Sequence, residues 1–132
     1  MKAPEGFAIV TPYIFADNAD GYVSFLMAAF GAHEVGRSTS SDGRIANCQI
    51  RFGTSTIMVS DASGQFPASR AAYYIYVENA DASMARAEQA GATRIMDVAD
   101  MPYGDRQGGV RDPWGNIWWV SQRLTDKPYF QG

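Results

Sequence analysis

Residues 101–122 read MPYGDRQGGVRDPWGNIWWVSQ and combine turn signals with an aromatic run. The DPWGN segment at 112–116 puts Pro where φ is preset and Gly where φ can be positive, so we expect the chain to reverse there. Residues 117–121 are apolar and aromatic, as a strand requires. YGD at 103–105 predicts another turn, and Gly108-Gly109 is expected to weaken the strand that precedes the reversal. The stretch therefore predicts a hairpin.

The same stretch carries a family resemblance. The pattern YGDRxGGVxDPxGNxWW, residues 103–119, resembles the C-terminal signature of the glyoxalase/bleomycin-resistance (vicinal oxygen chelate) superfamily, and most of all its PhnB-like branch. The similarity extends from about Ile9 to Gln122. It implies an α+β fold of two βαβββ modules, with a cupped mixed sheet around the ligand and helices outside. It leaves the function open, because the superfamily includes lyases, isomerases, ring-cleaving dioxygenases and non-catalytic drug-binding proteins.

An internal duplication supports this fold independently. DNAD at 17–20 can cap a helix that ends at Gly31, and NAD at 79–81 precedes a second helix that ends near Gly91. Each helix is preceded by one predicted strand and followed by three. The two copies of this pattern are about sixty residues apart. The predicted strands are 9–16, 33–39, 45–52, 56–60, 72–77, 93–98, 107–111 and 117–121. We expect one domain, 1–132, with repeat one at about 9–61, a linker at 62–71, repeat two at about 72–122 and a tail at 123–132 that has no core pattern.

Composition restricts the class of protein. The chain has 132 residues, 46% hydrophobic and 19% charged, which is long enough for one domain with a real core. A net charge of −3 argues against nucleic acid or anionic membranes as main partners. The lone cysteine, Cys48, excludes an intrachain disulfide. No stretch approaches the ~20 apolar residues that span a bilayer. We therefore expect a cytoplasmic protein.

Strand alternation predicts which side chains would line the cup. Successive residues point to opposite faces, so Cys48, Ile50 and Trp118 are expected under the helices. In the first strand, Thr11, Tyr13 and Phe15 share one face, which is assigned to the cup by analogy with the second repeat. The predicted ligand-binding residues are the aromatic walls Tyr13, Phe15, Tyr74, Tyr76 and Trp119 and the polar groups Asn47, Gln49 and Arg51. Each aromatic residue could instead be core or interface filler, and Arg51 could be a solvated edge charge.

Metal-dependent relatives would hold a divalent ion with His and Glu side chains on four strands facing the cup. The resemblance places Thr11, Val59 or a neighbour, Ala72 and Trp119 at these positions. None of these is a good ligand for such an ion. The only histidine, His33, is predicted to lie at the surface near the end of the first helix. We predict no metal, no cofactor and no catalytic residue.

These observations favour a metal-free small-molecule binding protein that sequesters an aromatic or planar organic compound. The resemblance adds a role in antibiotic resistance and a homodimer as expectations. Two alternatives stay open. The first is a metal-dependent lyase, isomerase or dioxygenase of the same superfamily, and the second is an interaction protein whose cup is filled by its partner subunit.

Overall fold

The computed structural model describes residues 1–131, which fold as two compact units. Unit 1 is Met1–Arg70, and unit 2 begins at Ala71. Unit 1 contains β1 (Tyr13–Ala16), α1 (Ala19–Phe30), β2 (His33–Thr39), β3 (Ile45–Phe52) and β4 (Ser55–Asp61). Unit 2 contains β5 (Ala72–Tyr76), α2 (Ala80–Gln89), β6 (Thr93–Asp100), β7 (Asp105–Arg111) and β8 (Ile117–Arg123).

Each unit has one four-stranded mixed sheet. The strand order is β1-β4-β3-β2 in unit 1 and β5-β8-β7-β6 in unit 2. In both units the first strand pairs in parallel with the last, and the remaining pairs are antiparallel. The predicted fold class, α+β with two βαβββ modules, is confirmed.

Helix α1 covers one face of the first sheet. It starts after Asn18, whose side chain accepts a hydrogen bond from the Gly21 amide, and it ends at Gly31 in the left-handed conformation at φ 69°. The helical spacing of its apolar residues forms one buried stripe. The stripe includes Tyr22, Phe25, Leu26 and Ala29, and the buried sheet residues of unit 1 include Ile14, Cys48, Ile50 and Val59. The expected core position of Cys48 is confirmed.

Two glycines in β7 allow close packing on both faces of the second sheet. β7 runs through both glycines, in agreement with the predicted strand at 107–111. A Cβ on Gly108 would lie 2.8 Å from the Met84 methyl group of α2, and a Cβ on Gly109 would lie 2.6 Å from the Trp119 ring. The glycines therefore supply space for these two side chains.

Several strand ends differ from the sequence prediction, and those of β1, β7 and β8 matter for the residues discussed below. β1 begins at Tyr13 rather than at residue 9, because Pro12 has no amide hydrogen and contributes only its carbonyl, which accepts from the Met58 amide at 2.9 Å. Asp105, predicted in a turn, is the first residue of β7. Arg123, predicted in the tail, is the last residue of β8.

The predicted reversal at 112–116 forms around one buried carboxylate. Oδ1 of Asp112 accepts from the amides of Trp114 at 2.9 Å and Asn116 at 3.0 Å. Its Oδ2 accepts from Nε1 of Trp118 at 2.9 Å. Gly115 takes φ 91°, which the turn requires. One side chain thus fixes both the turn and the core tryptophan that follows it.

Neither helix in the described part of the chain is long and apolar enough to cross a membrane.

Replacing Asp112 by Ala tests this account of the turn. The change leaves the amides of Trp114 and Asn116 and the Trp118 indole N–H without their acceptor, so we expect the free energy of unfolding to fall by about 3 kcal/mol. Urea unfolding measures the change. Asp97→Ala, on an exposed side chain of β6, is the matched control and should have little effect. Equal stability of Asp112→Ala and the unchanged protein would contradict the account.

Candidate ligand-binding faces

Strand register shows which predicted residues share a sheet face. Tyr13 pairs with Met58, which pairs with Gln49 on the other side. In unit 2, Tyr74 of β5 pairs directly with Trp119 of β8. Directly paired residues project to the same side of a sheet. The Tyr13 face and the Tyr74 face are the faces opposite the buried residues that pack under α1 and α2.

The predicted site residues divide between the two units. Unit 1 carries Tyr13, Phe15, Asn47, Gln49 and Arg51, and unit 2 carries Tyr74, Tyr76 and Trp119. Within each unit they lie on the face away from the helix. Their role as ligand contacts stays a prediction.

In unit 1, Tyr13 and Phe15 border a cavity of ≈ 450 Å³ that also touches Arg44, Asp61 and Phe66. The rings of Tyr13 and Phe15 lie 5.1 Å apart, and Phe66 stacks on Phe15 at 5.4 Å between centroids. These rings form an accessible aromatic cluster at one end of the Tyr13 face.

Arg51 is occupied by the N-terminal segment. Its Nε donates to Oγ1 of Thr56 at 3.2 Å, and its Nη2 donates to the Glu5 carbonyl at 3.3 Å. The guanidinium lies so close to Gly6 that a Cβ there would be 2.4 Å from Nη2. In this arrangement Arg51 fastens residues 5–6 to the sheet, and a ligand would have to compete for it.

Gln49 and Asn47 contribute a weaker polar edge to the same face. Nε2 of Gln49 lies 3.5 Å from Oδ1 of Asn47, at the limit of a hydrogen bond. Gln49 also lines a cavity of ≈ 330 Å³ beneath residues 2–9.

The Tyr74 face of unit 2 has exposed aromatic rings. Tyr74 is 42% exposed and Tyr76 is 57% exposed, and their ring centroids lie 5.3 Å apart. Trp119 is half-buried between β5 and β7, where its ring lies across the bare backbone of Gly109. These side chains offer both π-faces and hydroxyl groups.

Asp105 is the fully buried charge beside these rings. Its Oδ2 accepts from the hydroxyl groups of Tyr74 and of Tyr129, the latter at 2.6 Å. Its Oδ1 accepts from Nη1 of Arg123 at 2.9 Å, and the same Nη1 donates to the Tyr103 carbonyl at 2.7 Å. The carboxylate thus joins β5, β7, β8 and the C-terminal segment. We call Asp105, Tyr74, Tyr76, Arg123 and Tyr129 the Asp105 cluster.

The residues after β8 complete the cluster. Nη2 of Arg123 donates to the Lys127 carbonyl at 2.6 Å, and the guanidinium carbon of Arg123 lies 4.0 Å from the centre of the Tyr129 ring. A cavity of ≈ 400 Å³ opens here, lined by Tyr74, Tyr76, Tyr103, Tyr129 and Phe130. Sequence reasoning missed this part, because a tail without a hydrophobic period gives no sign that it folds back onto the sheet.

Hydrogen bonding keeps the Asp105 carboxylate ionised. Burial raises its pKa, but hydrogen bonds from Tyr129, Tyr74 and Arg123 together lower it further, so the pKa lies below the usual 3.8. Burial and the bond to Asp105 raise the pKa values of Tyr74 and Tyr129. Both phenols therefore stay protonated donors at neutral pH, and Asp105 stays their acceptor.

A second set of hydrogen bonds links Tyr103, Gln107 and Ser121. The Tyr103 hydroxyl donates to Oε1 of Gln107, whose Nε2 donates to Oγ of Ser121 at 2.9 Å. Gln107 and Ser121 are both buried. Their polar atoms are thus satisfied within the protein.

The residues do not fit the divalent metal that some relatives would hold. Val59 is fully buried and pairs with Ile14 and Cys48, so it faces the helix and its neighbour Met58 shares the Tyr13 face. Thr11, Ala72 and Trp119 add no imidazole or carboxylate. Among residues 1–131, no group of three or more His, Cys, Asp and Glu side chains could hold a metal ion.

Replacing Asp105 by Asn tests the cluster. The pKa of the folded carboxyl is lowered, so its contribution to stability is present above the ordinary carboxyl pKa and is lost as the pH falls below it. Near pH 7 we expect the variant to lose roughly 1.5–3 kcal/mol of unfolding free energy, the value of hydrogen bonds to a charged group. Below about pH 4 the difference should shrink. Urea unfolding across this pH range measures it, and a difference that grows in acid would contradict the assignment.

Comparisons with known proteins agree with this architecture. A Mycobacterium bovis protein described as uncharacterized is 30% identical over 128 residues, covering 89% of this chain and 84% of its own. TioX from Micromonospora sp. ML1 superposes with a TM-score of 0.72 at 24% identity, covering 92% of this chain and 100% of its own. TnmS3, an antibiotic binding protein from Streptomyces sp. CB03234, superposes with a TM-score of 0.69 at 18% identity, covering 92% of this chain and 97% of its own. A sequence model of the Glyoxalase/Bleomycin resistance protein/Dioxygenase superfamily matches residues 8–120, so this chain belongs to that superfamily.

Proposed function

We propose that this protein binds a small aromatic or planar organic compound without a metal ion. The observation that carries the proposal is the Tyr74 face of unit 2. Exposed rings of Tyr74 and Tyr76 stand beside a cavity of ≈ 400 Å³, with Trp119 next to Tyr74 across the sheet. Such rings bind flat molecules by offset stacking, and tyrosine hydroxyls add directional hydrogen bonds.

The chemistry of the available side chains favours binding over catalysis. Burial raises the pKa of the Cys48 thiol to about 11, so it is a poor nucleophile. Asp105 is a weak base, because its hydrogen bonds lower the pKa of its carboxyl group. His33 is exposed on β2, where its strand partner is Arg51.

The comparison with TnmS3 supports the same class of function. TnmS3 is described as an antibiotic binding protein, and its fold is that of this chain. We therefore extend the proposal to sequestration of a drug-like compound, with antibiotic resistance as its biological outcome. The Tyr13 face, with Phe15, Asn47, Gln49 and Arg51, is proposed as a further contact surface for the compound.

Trp119→Ala tests the proposal. A panel of aromatic antibiotics and metabolites is first screened by thermal shift on the unchanged protein, since a ligand that prefers the folded state raises stability. Calorimetry then measures the affinity of the best compound. Loss of the Trp119 ring should weaken binding by about tenfold, equivalent to ~1.4 kcal/mol.

Trp114→Ala is the matched control, because Trp114 is a partly exposed tryptophan of the same unit that lies in the turn at 112–116. It should leave the affinity within about twofold. Equal affinity in all three proteins would remove Trp119 from the site. Binding or turnover that appears only after Ni, Mn, Zn or Fe is added would favour the metal-dependent lyase, isomerase or dioxygenase instead.

We further propose that residues 1–132 act as one glyoxalase-like domain in the cytoplasm and that two chains form a homodimer. The family resemblance motivates the dimer, as do the apolar residues Ile9 and Val10, which are 66% and 82% exposed. Light scattering after size exclusion should give twice the mass of one chain. A mass of one chain at micromolar concentration would contradict the dimer.

A further inference from the structure

Tyr129 is held as if it were a bound ligand. Its hydroxyl lies 2.6 Å from Oδ2 of Asp105 and 2.7 Å from the Tyr76 hydroxyl, and Arg123 lies over its ring at 4.0 Å. The Tyr129 hydrogen points to the carboxylate, so Tyr76 must donate the second bond. An acceptor, a donor and a cation therefore surround one phenol.

From this arrangement we propose that the Asp105 cluster is a binding site for phenolic compounds and that Tyr129 occupies it from within the same chain. The inference rests on the proposed function and names the ligand class for unit 2. A ligand phenol would take the place of the Tyr129 ring, donate its hydroxyl hydrogen to Asp105, accept from Tyr76 and lie under Arg123.

The surroundings of Asp105 explain why a phenol suits the site. The carboxylate has no exposed surface while Tyr129 is in place. If the Tyr129 ring leaves, Asp105 keeps its bonds to Tyr74 and Arg123 and loses one donor. A buried charge that lacks a donor is costly, so the site favours a replacement hydroxyl over an apolar ring. An ionised phenol or a carboxylate would be repelled by Asp105.

The C-terminal segment is held mainly by polar contacts. Phe130 is 89% exposed, so its ring adds little apolar burial, whereas Tyr129 is 42% exposed. The segment's contacts include the Leu124 amide bond to the Gly104 carbonyl, the Tyr129 hydroxyl bonds, the Arg123–Lys127 bond and the ring contacts of Tyr129 with Arg123 and Tyr103. The intramolecular phenol therefore lowers the apparent affinity for an external one, as any competing occupant does.

Tyr129→Ala in the full chain tests the inference, with p-cresol as the probe because it is the side chain of tyrosine. The variant should bind p-cresol at least about tenfold more tightly than the unchanged protein, as seen by calorimetry. Phe130→Ala is the matched control, since it removes the neighbouring ring and leaves the Tyr129 hydroxyl. It should change the affinity less than about twofold.

A second ligand separates phenol recognition from general stacking. In 4-methylanisole the same ring carries a methylated oxygen that cannot donate, so Tyr129→Ala should bind it about tenfold more weakly than p-cresol. Adding Asp105→Asn should remove most of that preference. If this double variant is unfolded, the comparison of the two ligands on Tyr129→Ala decides alone.

Three results would overturn the inference. Equal binding of p-cresol and 4-methylanisole by Tyr129→Ala would leave an aromatic site without phenol recognition, and the proposed function would stand. Unchanged or weaker p-cresol binding by Tyr129→Ala would show that Tyr129 is a wall of the site and not its occupant. Binding of neither ligand by Tyr129→Ala would refute the phenol site. The proposed function fails instead if no compound of the antibiotic and metabolite panel binds the unchanged protein, or if binding requires an added metal.

Discussion

A sheet has two faces, and each repeat of this chain has one helix to cover them. In both units the helix packs on one face, where residues such as Val59 and Val120 are fully buried. The opposite face must meet other atoms or water. The protein places tyrosine and tryptophan there. These side chains tolerate both burial and exposure to water, because each has an apolar ring and a polar atom. The candidate binding surfaces follow from this constraint.

In unit 2 the C-terminal segment covers part of that face, and the contact depends on Asp105. An isolated carboxylate in this position would be costly to bury. Two phenols and one guanidinium offset that cost, and they come from β5, β8 and the segment after β8. The interaction that stabilises the buried charge thus also holds the segment on the sheet. The same set of donors and acceptors gives this face its preference for a hydroxylated ring.

The sequence predicted the fold better than the candidate site. Asx caps, Gly31 and the turn at 112–116 act locally, so their patterns identify both helices and the final hairpin. The packing role of Gly108 and Gly109 could not be predicted, because these glycines make room for Met84 and Trp119, which contact them only in the folded chain. Asp105 and Tyr129 were missed for the same reason, since they are 24 residues apart and meet only in the folded chain.

The proposed function depends on binding of an aromatic compound without a metal ion. Calorimetric titration of the best compound from the panel into protein treated with a chelator, repeated after addition of Ni, Mn, Zn and Fe, measures this dependence. We expect one site per chain, with a dissociation constant that agrees within about twofold in all conditions. Binding that is absent after chelation and returns with one of the metals would contradict it.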